Sequence, residues 1–282
     1  MSRIQNILDK ADREGVVRRV RTVADGGPAI ALAENTATLE AEPEFVTRRV
    51  AIPADAPAAT AVPVASPIRV VQGARLHPRL VAAAVSSGVA AEQYRALRTR
   101  IVNADHRTSN VVLVTSPGRG EGKSVTASNL ALAMAQEYQR RACIVDADLR
   151  SPQIAKLFGI QEGPGLSDVL LGTATLEEAL VMIEEYQITV LPAGRAATHP
   201  AELLGTTTMR RTLEALRSQF DRVVIDTPSA NPLADVGILT PLVDSIVMVV
   251  RAGMTSKPAI HDAVASIDSG KLLGIVLNEA VV

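Results

Sequence analysis

Short apolar runs alternate with helical patterns through the second part of this chain, and this alternation restricts the fold more than any other feature. The runs, rich in Val and Ile, are NVVLVTS, ACIVDAD, QITVLPA, DRVVIDT, SIVMVVRA and LLGIVLN. The helical patterns lie at 91–104, 123–138, 208–219 and 257–268. Because the runs are apolar at consecutive positions, both faces of each strand should be buried. We therefore predict an α/β fold with a mostly parallel central sheet flanked by helices on both faces.

The first part of the chain has a different composition. Apolar residues recur at helical spacing over residues 1–20, which predicts an amphipathic helix. Ala, Pro and Val then dominate, with prolines too frequent for a helix or a central strand. We interpret residues 21–87 as a flexible, largely disordered linker, with a small folded subdomain as the alternative. The α/β domain is predicted over 88–282.

Composition excludes several functional classes. The formal net charge of -1 provides no general attraction to nucleic acid or to an anionic membrane, so we expect no nucleic-acid partner. The single cysteine cannot form an internal disulfide, and the four histidines lack metal-ligand spacing. The N-terminus is too polar for a signal peptide, and no run approaches the roughly 20 apolar residues of a membrane span. We expect a cytoplasmic protein.

A glycine-rich loop, TSPGRGEGKS, lies between the first predicted strand and a predicted helix. Its glycines allow backbone N–H groups to surround phosphate oxygens, Lys123 can reach the β- and γ-phosphates, and Ser124 can bind Mg²⁺. The spacing departs from G-x-x-x-x-G-K-[ST], because Pro117 stands at the first glycine position and Gly118 follows one place late. We predict a variant phosphate-binding loop in a P-loop NTPase fold. The alternative is a glycine-rich turn with an exposed lysine.

Three carboxylates follow predicted strands. Asp146 and Asp148 end ACIVDAD, two residues apart and therefore on one side of an extended chain, and Asp226 ends RVVID. The carboxyl ends of parallel strands share one edge of the sheet, which is also the edge of the phosphate loop. We expect Asp226 to hold Mg²⁺ through water, and the other two to share metal binding with orientation of an incoming hydroxyl. Taken singly, each Asp is also a common helix cap.

At these positions the chain resembles a known family. The resemblance is carried by GEGKS (120–124), IVDADLRSP (144–152), GLSDVLLG (165–172), HPAELL (199–204), VVIDTP (223–228) and GIVLN (274–278). These segments are similar to those of bacterial tyrosine kinases, the P-loop autokinases of capsule and exopolysaccharide synthesis. The resemblance covers about residues 88–280 and implies a relative of the MinD/ParA ATPases that uses ATP and Mg²⁺ to phosphorylate protein tyrosine. The opening MSRIQNILDKA further resembles the branch associated with exosortase (PEP-CTERM) systems.

The resemblance also implies roles for residues and a partner. The residues implied to bind the nucleotide are Gly118, Gly120, Glu121, Gly122, Lys123, Ser124, Val125 and Asn278. Those implied to bind magnesium are Ser124, Asp148 and Asp226, and the implied catalytic residues are Lys123, Asp146 and Asp148. A membrane-embedded, Wzz-like chain-length regulator is implied as activator, which would recruit the protein to the inner face of the cytoplasmic membrane.

A charged helix predicts an interface. AEQYRALRTRI carries Glu92, Arg95 and Arg98 along one helical face. In the family this motif joins protomers in a ring, so the resemblance implies a homo-oligomer. Arginine suits such a contact because its planar guanidinium can pair bidentately with a carboxylate. The alternative is a solvated helix with an internal ion pair.

The chain departs from the family pattern in several places. It stops at LNEAVV where members usually carry a tyrosine-rich tail, and its only tyrosines are Tyr94, Tyr138 and Tyr186. Ser229 stands where a second proline is common, and Ala155 where a histidine is common. We therefore expect weak self-phosphorylation, with Tyr94 as the best-placed internal acceptor because it lies in the predicted interface helix.

Two other functions stay open. One is a MinD/ParA-like ATPase switch without tyrosine transfer; against it, Gly118 occupies the place where those ATPases carry a signature lysine. The other is a nucleotide-binding adaptor that reports ATP occupancy to its membrane partner.

Overall fold

An eight-stranded sheet forms the centre of the part of the chain that the structure, a computed structural model, describes: residues 68–83, 88–104, 110–230 and 235–279. The strands are β1 (Arg69–Val71), β2 (Val111–Thr115), β3 (Ala142–Asp146), β4 (Val181–Ile183), β5 (Ile188–Leu191), β6 (Arg222–Asp226), β7 (Ser245–Arg251) and β8 (Leu272–Asn278). Their order across the sheet is β1-β4-β5-β3-β6-β2-β7-β8. Each predicted strand forms. All neighbouring pairs are parallel except β4 and β5, which are antiparallel.

Helices connect the strands. They are α1 (Val89–Ala104), α2 (Lys123–Ala135), α3 (Ile154–Phe158), α4 (Leu166–Leu170), α5 (Leu176–Ala179), α6 (Pro200–Leu204), α7 (Thr207–Gln219), α8 (Asp235–Leu239) and α9 (Lys257–Ala265). Short 3₁₀ turns span Val81–Ala83, Glu184–Tyr186 and Thr240–Leu242. The four long predicted helices form as α1, α2, α7 and α9. The shorter helices of four or five residues were not predicted, because they are too short to show a helical period.

Successive side chains along a strand point to opposite sides, and the central strands of the sheet are buried on both faces. On β2, Val111 and Leu113 pack into one core with residues of α4, α7 and α9. Val112 and Val114 pack into a second core with α1 and α2. The predicted P-loop NTPase arrangement, a mostly parallel sheet with helices on both faces, is confirmed. Cys143 lies in the first core with no exposed surface, and burial raises the pKa of its thiol, as expected for a structural residue.

Part of the predicted linker belongs to the fold. β1 pairs with β4 in the register Arg69↔Val181 and Val71↔Ile183, and the Val81–Ala83 turn places Ala82 in the core. At residues 68–83 the linker prediction is therefore wrong. A three-residue strand is too short to stand out from a Pro- and Ala-rich background, and it forms because β4 offers it a partner. The predictions for residues 1–20, 21–67 and 84–87 lie outside the described residues.

Within the described ranges, no helix combines the length and apolar character that crossing a bilayer requires.

Candidate active site

The glycine-rich loop joins β2 to α2 and approaches the end of β8. Gly122 precedes the first residue of α2 with φ 90° and ψ 18°, and Gly120 has φ 77°. These left-handed conformations favour glycine. A Cβ on Gly122 would also lie 2.1 Å from Nδ2 of Asn278, so a larger residue does not fit without displacing that side chain. The predicted loop thus has the strand before it, the helix after it and the backbone freedom that a phosphate cradle needs.

α2 presents its N-terminus to this loop. No side chain caps its first turn, because the N-cap residue is a glycine. Its second residue, Ser124, is 8% exposed, and Lys123 begins the helix. A 13-residue helix with uncapped first-turn N–H groups can stabilise an anion at this end. Val125 lies on another side of the helix and packs against the second core.

Asp146 and Asp226 lie opposite each other in the register of β3 and β6, and neither is exposed. Oδ2 of Asp146 accepts hydrogen bonds from the backbone N–H groups of Gln153 (3.1 Å) and Ile154 (2.9 Å). Burial raises the pKa of Asp146 to about 7, the Asp148 carboxylate raises it as well, and these N–H donors oppose the rise. Asp146 therefore holds the chain that follows β3 rather than facing solvent.

The Asp226 carboxylate is different because neither oxygen has a hydrogen-bond partner among the described residues. Burial raises its pKa well above the ordinary value, and repulsion from Asp146 adds to the rise. The Lys123 ammonium and the Ser124 hydroxyl oppose it, although the hydroxyl lies outside ordinary hydrogen-bond geometry. A buried carboxylate whose two oxygens lack hydrogen bonds is suited to bind a cation, whose positive charge would balance the negative charge of the carboxylate.

Asp148 contacts the phosphate loop directly. Its Oδ2 lies 2.9 Å from Nζ of Lys123, and its Oδ1 accepts the backbone N–H of Ser151 at 3.0 Å. Asp148 is 3% exposed. The three carboxylates and the loop therefore meet at one edge of the sheet, as the sequence predicted. Among the described residues no group of three or more His, Cys, Asp or Glu could hold a metal ion by itself.

Two residues implied to bind nucleotide also contact each other. The Nδ2 amide of Asn278 donates to the backbone carbonyl of Glu121 at 2.9 Å. The Glu121 carboxylate accepts the Thr255 hydroxyl at 3.0 Å and is 8% exposed. Nearby, the carbonyl of Gly118 accepts the Ser116 hydroxyl at 2.7 Å. The Glu121 side chain thus connects the loop to Thr255 instead of reaching into solvent.

The predicted interface residues make contacts within their own chain. Arg95 forms an ion pair with Glu92, the internal pair of the alternative interpretation. Arg98 donates to the carbonyl of Ala133 near the end of α2 at 2.8 Å, and its Nε lies 3.9 Å from a carboxylate oxygen of Glu137. Arg98 therefore holds α1 against α2, while Glu92 is the more exposed member of the motif.

Sequence reasoning missed two residues at this edge. One is Thr255, which lies 134 positions from the Glu121 that it contacts. The other is Asp235, which pairs with Arg150 through Nε–Oδ2 (3.0 Å) and Nη2–Oδ1 (3.3 Å). Arg150 lies two residues after Asp148, so its position in the sequence indicates a place near the site. No pattern of residues around Thr255 indicates its contact with the loop.

Comparison with known proteins agrees with this geometry. The model of the ParA family, described as NUBPL iron-transfer P-loop NTPase, matches residues 107–250. The tyrosine-protein kinase YwqD of Bacillus subtilis (strain 168) is 35% identical over 211 residues, which are 73% of this chain and 88% of that protein. The chain belongs to the bacterial tyrosine-protein kinase family. The predicted family and its P-loop NTPase fold are thus confirmed.

Other similar proteins differ in how much of their length corresponds to this bacterial tyrosine kinase. The crystal structure of the chimerical protein CapA2B2 superposes with a TM-score of 0.69 at 28% identity, covering 76% of this chain and 94% of that one. The succinoglycan biosynthesis transport protein ExoP of Rhizobium meliloti (strain 1021) is 32% identical over 176 residues, 61% of this chain but 22% of that protein. The bacterial tyrosine kinase therefore corresponds to a small part of ExoP and to most of YwqD.

Proposed function

We propose that this protein uses ATP and Mg²⁺ to phosphorylate protein tyrosine in the synthesis or export of a polysaccharide. The observation that carries the proposal is the buried Asp226 carboxylate beside Lys123 and Ser124, whose oxygens have no hydrogen-bond partner among the residues that the structure describes. Such a carboxylate at the phosphate loop fits a nucleotide-bound cation better than a structural role. Membership of the tyrosine kinase family supports the choice of reaction.

In this proposal each residue has a defined task. Backbone N–H groups of the loop and Lys123 bind the β- and γ-phosphates, and Ser124 and Asp226 hold Mg²⁺, the latter through water. When bound, Mg²⁺ neutralises charge on the phosphates. Asp148, whose Oδ2 lies 2.9 Å from Nζ of Lys123, can orient the tyrosine hydroxyl and accept its proton as the phenolic oxygen attacks the γ-phosphorus and ADP leaves. Asp146 positions the chain that carries Asp148.

The side chain of Asn278 supports a preference of the site for ATP over GTP. Since the carbonyl of Glu121 can only accept, the amide atom 2.9 Å from it must be the nitrogen. The Oδ1 oxygen then remains as an acceptor for the base. The exocyclic amino group of adenine can donate to it, whereas O6 of guanine would repel it.

The three tyrosines of this sequence are poorly placed to accept phosphate in their own subunit. The Tyr94 ring packs against the second core, and its hydroxyl lies beside Thr126 and Asn129 of α2. Burial raises the pKa of that hydroxyl, which opposes its use as an acceptor. Tyr138 is exposed but follows the far end of α2, about 20 Å from the loop at 1.5 Å per residue. Tyr186 precedes β5 and so lies toward the opposite edge of the sheet.

The location and partners follow from the same family membership. We propose a cytoplasmic protein, recruited to the inner face of the cytoplasmic membrane by a Wzz-like chain-length regulator that activates it. ExoP, a transport protein of succinoglycan synthesis that contains a similar region, supports such a connection. A homo-oligomeric ring through the α1 face is part of the proposal, and the exosortase-associated branch stays a prediction.

The test is incubation of the purified protein with labelled ATP and Mg²⁺, with and without a random Glu–Tyr copolymer. Phosphotyrosine on the copolymer, absent with Lys123→Ala, supports the kinase. Phosphate release without any phosphotyrosine, even when the membrane partner is added, would favour the ATPase switch. Binding without turnover would favour the adaptor.

A further inference from the structure

The phosphate loop contains a buried acid whose side chain contacts the turn between β7 and α9. Glu121 is 8% exposed, and its Oε1 accepts the Thr255 hydroxyl at 3.0 Å, while Oε2 has no hydrogen-bond partner among the described residues. Burial raises the pKa of Glu121, and the hydrogen bonds from Thr255 and from the Gly118 backbone lower it. A buried carboxylate with one unpaired oxygen costs stability compared with an apolar side chain. Stability alone therefore does not account for this residue.

Thr255 is held so that its proton points to Glu121. It lies in the turn between β7 and α9 and is 7% exposed. Its Oγ1 accepts the backbone N–H of Arg251 at 3.1 Å, and its own N–H donates to the Arg251 carbonyl at 3.1 Å. Because the hydroxyl accepts from Arg251, its single proton is available for the Glu121 carboxylate.

A second connection joins the same loop residue to β8. The Asn278 side chain donates to the Glu121 carbonyl at 2.9 Å, and the Asn278 carbonyl accepts the Ala252 N–H at 2.9 Å. Glu121 therefore links the phosphate loop to two other segments. Its side chain contacts the turn after β7, and its backbone carbonyl contacts the end of β8.

We propose that Glu121 is a positioning residue that joins the phosphate loop to the turn carrying Thr255 and to the base-binding Asn278, so that the loop and Asn278 keep one relative position. The inference rests on the proposed function, in which the loop binds the phosphates of the nucleotide and Asn278 binds its base. It assigns to Glu121 and Thr255 a part in ATP affinity and in discrimination against GTP, without contact with the nucleotide.

The test uses two matched pairs of variants in the whole 282-residue chain. Thr255→Val removes the hydroxyl at nearly constant volume, and Thr255→Ser keeps it. Glu121→Leu removes the acceptor, and Glu121→Gln keeps it. Calorimetry gives the dissociation constants of Mg·ATP and Mg·GTP, and thermal unfolding without nucleotide gives stability.

We expect Thr255→Val and Glu121→Leu to weaken ATP binding about tenfold and to lower the ATP-to-GTP affinity ratio, since a hydrogen bond to a charged group is lost. Thr255→Ser should bind like the wild type, and Glu121→Gln should retain more ATP affinity and a higher ATP-to-GTP ratio than Glu121→Leu. If Thr255→Val does not fold, the Glu121 pair makes the same comparison.

ATP affinity and nucleotide preference unchanged in Thr255→Val or in Glu121→Leu would overturn the inference while leaving the proposed function intact. Equal weakening of ATP and GTP, with the same loss in the Ser and Gln variants, would also overturn it, because that is the result of a general folding defect. A wild type that binds neither nucleotide would overturn the proposed function, and the inference with it.

Discussion

Nζ of Lys123 lies 2.9 Å from Oδ2 of Asp148, so an ion pair holds the phosphate loop against the chain that follows β3. The two side chains are 14% and 5% exposed, which shields the pair from solvent. Removing one partner of a buried pair leaves an uncompensated charge and costs about 3–5 kcal/mol. A phosphate bound by Lys123 would share the ammonium with Asp148, which connects nucleotide binding to the position of the proposed proton acceptor.

Lys123→Ala should abolish turnover and weaken Mg·ATP binding by at least about tenfold, because the charge that faces the β- and γ-phosphates is lost. It should also lower stability, since Asp148 loses its partner. Calorimetry and thermal unfolding measure the two effects. Lys156→Ala, at an exposed position of α3, is the control and should change neither. Unchanged ATP binding in Lys123→Ala would show that the cradle is assigned wrongly.

Asp226→Asn should abolish turnover, retain part of the nucleotide affinity and raise the thermal unfolding midpoint near neutral pH. The amide in this variant cannot ionise. The variant therefore lacks the buried negative charge of the wild type, whose unfavourable burial raises the pKa of Asp226. Turnover assays and melting curves in EDTA test both parts. Asp262→Asn on the exposed side of α9 is the matched control. A variant with wild-type activity would remove Asp226 from the metal site.

Stability in EDTA should fall as pH rises from about 5 to about 7.5. The pKa of Asp146 is raised to about 7 and that of Asp226 is raised too, so the folded protein keeps protons that the unfolded chain releases near pH 4. Unfolding therefore releases protons in this window, and the free energy of unfolding decreases as pH rises. Melting curves at several pH values measure it. Asp226→Asn should flatten the slope, and a wild-type midpoint that rises with pH would contradict the prediction.

Replacing Arg95 and Arg98 should give different results. Arg98→Ala removes the hydrogen bond to the Ala133 carbonyl and should cost about 1–2 kcal/mol of stability, so it confounds a test of assembly. Arg95→Ala should reduce self-association while changing the melting midpoint little. Sedimentation velocity, at a concentration where the wild type associates, measures the first effect. Arg100→Ala on the same helix is the control, and wild-type association of Arg95→Ala would remove the interface proposal.

The sequence was informative where the signal is local. Consecutive Val and Ile residues predicted β2, β3 and β5 to β8, and strand ends predicted where the three carboxylates lie, because parallel strands share one carboxyl edge. β1 and β4 were missed because three residues carry no period, and their pairing depends on segments distant in the chain. Contacts between distant residues, such as Asn278 with the Glu121 carbonyl 157 positions away, depend on strand order, which no local pattern encodes.

β1 covers an apolar strand at the margin of the sheet. Val181 and Ile183 of β4 have no exposed surface, and the backbone of β4 on that side pairs with residues 69–71. A shortened protein that begins at residue 88 would uncover a row of unpaired N–H and C=O groups beside these side chains, the usual template for edge-to-edge aggregation. β1 is short and carries Arg69, which makes it a poorer template. We therefore expect the stretch that looks dispensable in the sequence to protect the kinase domain against edge-to-edge association through its sheet.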